Sequence, residues 1–212
     1  AHAGGFGFSI SVASFGSLRR LVHSGFPHAR RERGVTVERM ARRAVAAEQR
    51  RLFDRFGERR VDSICVENTP DRYEAGLQLV EQYGMLADAG AVVRDDSDRL
   101  LLIRHPEGDG WGHPGGGYER DGSLAATARR EVREETGVDV TITGLRYVRE
   151  KTIVHAGDSS RTYPMLTAIF DAHGSGPATA GDDEEVLTAR WFETLPTVLD
   201  SFTGCRGECH GA

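Results

Sequence analysis

Lysine is almost absent from this 212-residue chain: Lys151 is its only one, against 26 arginines. That bias suggests a GC-rich genome or a halophile and carries little chemical information. Cysteine is scarce too. Cys65, Cys205 and Cys209 cannot make an even disulfide framework, so the expectation is reduced thiols in a cytoplasmic setting. No apolar run approaches the roughly 18 residues of a membrane-spanning helix, so no membrane partner is expected. Positive charge is in deficit as well, and the net charge of -5 argues against duplex nucleic acid as a partner. Cys205, Cys209 and His210 have spacing seen in metal sites, but a zinc site wants a fourth ligand. Residues 201–212, rich in glycine, are expected to be a flexible tail.

What is present bounds the organisation. A chain of this length, 39% hydrophobic, supports one domain of ordinary size plus an accessory segment. Residues 1–34 carry five arginines and one glutamate among glycine, serine and phenylalanine. They resemble a transit peptide in composition or a disordered leader, and are set aside from fold reasoning. Residues 35–57 read as a helix, with Val35, Val37, Met40, Ala44, Ala47, Leu52 and Phe56 as a loose apolar stripe. Residues 59–66 suit a short strand, and residues 73–83 form a mixed apolar stretch. Together, residues 35–84 make a mainly helical accessory segment packed on the main domain as a cap or a homodimer contact.

From residue 85 to 200 the pattern becomes that of strands. Ala91–Val93 and Leu100–Ile103 are apolar runs separated by the polar turn Arg94–Asp98, as in a hairpin. Pro114–Gly117 is predicted as a loop ahead of a helix that starts near Ser123. Residues 138–142, 145–154, 162–170 and 189–192 follow as strand candidates.

The helix after the glycines carries the chemistry. Within Arg130-Glu131-Val132-Arg133-Glu134-Glu135-Thr136-Gly137-Val138, three glutamates stand at i, i+3 and i+4, which places them on one face within roughly 100° of arc. Like charges at that spacing destabilise a helix by about 0.2 to 0.5 kcal/mol per pair. Pairing with Arg129, Arg130 and Arg133 on a solvated face is one remedy. A hard divalent cation is another, since carboxylate oxygens suit magnesium or manganese.

Residues 116–138 resemble the signature of the Nudix hydrolases, GX5EX7REUXEEXGU with U a bulky apolar residue. Gly116, Arg130, Glu131, Val132, Glu134, Glu135, Gly137 and Val138 match, whereas Gly122 stands where the first glutamate belongs. The resemblance implies an α/β fold, an α/β/α sandwich around a mixed sheet. It implies that the Gly115 carbonyl and the side chains of Glu131, Glu134 and Glu135 hold Mg2+ or Mn2+, with Arg130 positioning Glu131. Its first glutamate is a supporting residue for that arginine. Its absence is expected to slow the site about 10 to 100-fold rather than abolish it, with Asp121 as a candidate substitute.

The implied reaction is hydrolysis of a diphosphate linkage in a small nucleoside diphosphate derivative. Metal ions neutralise the diphosphate and orient a water, and a carboxylate accepts its proton. Glu185 or Glu184, ahead of the last strand, is the candidate base. Arg104 and Arg161 are candidate phosphate ligands, and Trp111 and Tyr163 candidate stacking partners for a base. Two other readings share the fold. A nucleotide-sensing module without hydrolysis is favoured by Gly122 and the N-terminal segment, and disfavoured by the intact glutamates. An isoprenoid diphosphate isomerase would want a cysteine near the box, and none lies there.

Overall fold

A computed structural model describes residues 36–106, 110–120, 122–181 and 186–198. The expectations for residues 1–34 and 201–212, and for Asp121, Glu184, Glu185, Cys205, Cys209 and His210, lie outside them. In chain order the elements are α1 (Val37–Phe56), β1 (Val61–Asn68), α2 (Pro70–Tyr83), β2 (Ala87–Arg94), β3 (Leu100–Arg104), β4 (Gly115–Gly117), α3 (Leu124–Thr136), β5 (Val140–His155), β6 (Asp158–Gly174) and β7 (Thr188–Phe192).

The strands form one mixed sheet in the order β1-β5-β6-β2-β3-β7, with β4 added to β2. The hairpin β5–β6 is antiparallel, while β1 joins β5 and β2 joins β6 in parallel. The two segments expected at 138–142 and 145–154 are a single strand with bulges at Ile142/Gly144 and Leu145/Tyr147. Such bulges bend a strand without ending it.

Period-two alternation sorts the sheet into two faces. On one, Ala87, Ala89, Ala91 and Val93 of β2 and Leu166, Ala168 and Phe170 of β6 pack against Leu124, Ala128 and Val132 of α3 and Val45 and Leu52 of α1. On the other, Ile153, Tyr163 and Met165 meet Tyr73, Leu77 and Val80 of α2. The result is the three-layer α/β/α sandwich with a mixed sheet. Helices are started by Thr36 and Ser123, whose hydroxyls accept from the amides of Arg39 and Ala126, and by Pro70 in the first turn of α2. Each arrangement satisfies or removes an orphan amide.

The segment 36–84 is more closely joined to the sheet than a separate cap would be. Strand β1 pairs along eight residues with β5, from Val61↔Val148 to Asn68↔His155. Phe56 of α1 packs edge-on against Phe170 at 5.5 Å. Cys65, on β1, is disulfide-bonded, against the reduced state expected from the cysteine count.

Candidate active site

Strand β4 and helix α3 build the site. The three glycines expected as a loop form a short edge strand instead, with Ala89↔Gly116 at the centre of its pairing to β2. The Tyr118 amide donates to the Ala87 carbonyl and the Ala91 amide to the Pro114 carbonyl, at the two ends of the β2–β4 pairing, so Gly115 and Gly117 turn their backbone groups to the outer edge. Side chains of α3 satisfy that edge. The Gly115 amide donates to Glu135 Oε2 at 2.8 Å, and Arg130 Nη2 donates to the Gly117 carbonyl at 2.9 Å. The Gly115 carbonyl projects to the same side as its amide.

Helix α3 buries Leu124, Ala128 and Val132 at four-residue spacing, which draws the adjacent Glu131 under the sheet edge; it is 9% exposed. Glycine at 116 is required there, because a Cβ at that position would collide with the Glu131 carboxylate. Arg130 Nη1 bonds Glu131 Oε1 at 2.8 Å and Glu134 Oε2 at 2.9 Å. Burial raises the Glu131 carboxyl from 4.5 to about 7, with the Arg130 guanidinium opposing and the Glu134 charge assisting. The helix ends at Gly137, left-handed with φ 70°, a conformation glycine adopts at little cost.

Among the described residues no three acidic, histidine or cysteine side chains close around one point, since Arg130 and the Gly115 amide occupy the glutamates. The donor set nevertheless fits a hard cation. Three carboxylates and a backbone carbonyl converge on one strand edge, and a buried carboxylate that resists ionisation is one whose charge a cation would stabilise.

The other expected residues are scattered. Arg104 is exposed at the end of β3, and Trp111 stacks edge-on against Phe192 at 4.6 Å. Arg161 lies over the Tyr73 ring and pairs with Glu74 at 2.8 Å and Glu38 at 3.8 Å, tying α1 to α2. Tyr163 is fully buried, its hydroxyl donating to the Tyr73 carbonyl at 3.3 Å. Burial, assisted by Tyr73 and Glu74, pushes its pKa up, and neither face of its ring is open to a base. Gly122 has φ 131°, a backbone state that strains a glutamate.

One polar group escaped the sequence reading. Asp88, Arg149, Lys151 and Thr167 are buried on the face of the sheet opposite α3. The available signals were an aspartate in the apolar run preceding Ala91 and the single lysine of an arginine-rich chain.

Residues 85–195 match the NUDIX domain family. An 8-oxo-dGDP phosphatase, NUDT18, of Danio rerio is 28% identical over 107 residues, covering 49% of this chain and 31% of that protein. A MutT-like protein of Streptomyces ambofaciens is 44% identical over 64 residues, 30% of this chain and 41% of that one. The chain therefore spans less than half the length of either curated relative. The crystal structure of a MutT Nudix hydrolase from Burkholderia pseudomallei is 27% identical, with 54% of this chain and 88% of that one covered and a TM-score of 0.41.

Proposed function

This chain belongs to the Nudix family, and on that footing we propose that it hydrolyses a diphosphate linkage in a nucleoside diphosphate derivative by attack of water on phosphorus. The observation that carries the reading is the buried Glu131 carboxyl, bonded to Arg130 beside Glu134 and Glu135 on the edge of the glycine strand. Glu131, Glu134, Glu135 and the Gly115 carbonyl would hold Mg2+ or Mn2+. Such ions neutralise diphosphate charge and lower the pKa of a bound water.

The chain's own contribution is positioning. Arg130 spans Glu131, Glu134 and the Gly117 carbonyl, so α3 and β4 hold the carboxylates in a fixed relation before substrate arrives. A preorganised site of this kind avoids reorganisation cost during reaction. Glu185 is the candidate proton acceptor, from the segment before β7. Arg104 and Trp111 flank the chain leading into β4 and are candidates to grip phosphate and base. Arg161 and Tyr163 are committed to the α1–α2 junction and have no part in this scheme.

A panel of nucleoside diphosphate derivatives with magnesium, read by phosphate release after coupling to a phosphatase, tests the proposal. Turnover of at least one member is expected, and Glu135→Gln should lower it roughly 100-fold or more. Binding without turnover would support the nucleotide-sensing alternative, which Gly122 favours.

A further inference from the structure

Between β6 and β7 the chain crosses the C-terminal end of the box helix. Trp191 of β7 holds the start of this crossing, its indole N–H donating to the Gly176 carbonyl at 2.9 Å. Ala178 and Ala180 pack against Ile103, Val186 and Ala189, while Thr179 between them is exposed. The strap 178–181 is thereby pinned to the core at alternate residues. Its backbone faces the helix. The Thr179 amide donates to the Thr136 carbonyl at 3.0 Å, and the Gly181 amide to the Glu135 carbonyl at 3.4 Å. Contact is closest at Gly181, where a Cβ would strike the Glu134 carbonyl oxygen and come within 3.3 Å of the carbon that bears it. Both sides of that contact are backbone, so neither can swing aside as a side chain could.

The last turn of a helix is where such bonds matter. Its final four carbonyls have no partner within the helix, and the partial negative charge at that end disfavours carboxylates. Helix α3 nevertheless puts Glu134 and Glu135 there. The Gly137 amide bonds the Arg133 carbonyl, and the strap bonds those of Glu135 and Thr136 and covers that of Glu134. On the opposite side the turn is held by side chains, with Glu135 Oε2 on the Gly115 amide and Glu134 Oε2 on Arg130. The turn that bears both glutamates thus stands between β4 and the strap.

We propose that the strap, with Gly181 as its contact residue, is a positioning element: it holds the last turn of α3 so that the Glu135 carboxylate stays on the Gly115 amide with Glu134 beside it. In Gly181→Ala the added methyl lifts the strap from the helix or pushes the turn away, and either movement breaks the bond to the Glu135 carbonyl. Loss of a group that orients a ligand typically weakens a metal site about 10 to 100-fold. That consequence rests on the reading of the glutamates as metal ligands. The coupling of Gly115 to the strap does not.

The test compares the full chain with Gly181→Ala and with Gly76→Ala, whose added methyl strikes Tyr163 on the opposite face of the sheet. One readout is hydrogen exchange of the Gly115 amide, bonded to Glu135, against the Tyr118 amide, bonded to the Ala87 carbonyl. The other is Mn2+ affinity, from the electron paramagnetic resonance signal of the free ion. Gly181→Ala should speed exchange at Gly115 roughly tenfold more than at Tyr118 and weaken Mn2+ binding about tenfold or more. Gly76→Ala should shift both amides alike and leave Mn2+ affinity unchanged, as a purely structural glycine would. If Gly181→Ala fails to fold, native-state exchange of the wild type in low urea decides: the amides of Thr179, Gly181 and Gly115 should open in one step, ahead of Tyr118. Gly115 exchange that tracks Tyr118 in Gly181→Ala, or that opens independently of Thr179 in the wild type, would overturn the proposal. Coupling of Gly115 to the strap without Mn2+ binding by the wild type would overturn the metal-site reading and leave the positioning role standing. Mn2+ binding with Gly115 uncoupled would do the reverse.

Discussion

Replacing Glu131 by glutamine should make the metal-free protein more stable at alkaline pH while destroying its activity. The Glu131 carboxyl titrates near 7 in the fold against an ordinary value of 4.5, chiefly because it is buried. Its side chain is 12% exposed, so solvent screens the effect little. Below about pH 4.5 the group is neutral whether the chain is folded or unfolded, and it contributes nothing to the pH dependence. Between about 4.5 and 7 the unfolded chain has released a proton that the folded chain still holds, so stability falls as pH rises through this window and then levels. A tenfold change in proton affinity is worth about 1.36 kcal/mol, which puts the full loss at about 3 kcal/mol. Glutamine does not titrate and can still accept from Arg130. In chelator, the stability of Glu131→Gln relative to wild type should therefore improve by roughly 2 to 3 kcal/mol between pH 5 and pH 8, several degrees in melting temperature for a chain of this size. Added magnesium should raise the wild-type melting temperature at pH 8 and leave the variant's almost unchanged. A gap between the two proteins that is the same at both pH values would refute the reasoning.

Other perturbations probe other links. Gly122→Glu restores the family's residue but forces a side chain onto φ 131°; it should cost about 1 to 3 kcal/mol and give no gain in magnesium-dependent turnover, and a faster enzyme of equal stability would contradict this. A methyl on Gly76 would strike the ring and hydroxyl of Tyr163, so Gly76→Ala should lower stability by about 1 to 3 kcal/mol with KM unchanged, read by urea denaturation and steady-state kinetics. A chain beginning at residue 85 loses Val45, Leu52, Tyr73 and Val80 from the two cores, each worth roughly 1.5 to 3 kcal/mol against a total stability of about 5 to 15. Circular dichroism should show no cooperative melt, and a sharp transition near that of the full chain would contradict the shared core.

The parts of the fold legible in the sequence are those whose signal is local. The box helix declared itself through Ser123, the spaced glutamates and Gly137, and the apolar runs 100–103 and 189–192 became β3 and β7. Helix α2 was missed although Tyr73, Leu77 and Val80 follow helical spacing, because Pro70 and Gly76 weaken its appearance. Strand β4 was illegible for a different reason. Three glycines have no strand preference, and they are extended because β2 on one side and Arg130 and Glu135 on the other bond their backbone. The buried polar group was hidden by distance, since Asp88 and Lys151 are neighbours only once β6 lies between their strands. Arg161 and Tyr163 looked available for substrate because nothing in their own segment announces Glu74 or Tyr73.

The long hairpin β5–β6 also orders events in time. Its two strands meet through a tight turn at residues 156–157 and need no distant part of the chain. Two wide pairings add strands to the hairpin from far back in the chain: β1 aligns Val61 with Val148, and β2 aligns Ala87 with Leu166. Closing loops of that length before contact is rewarded is slow. During synthesis α1, β1, α2 and β2 leave the ribosome before the hairpin strands they join or pack against. The glutamate cluster thus acquires its glycine-edged frame late, after the C-terminal half supplies the scaffold.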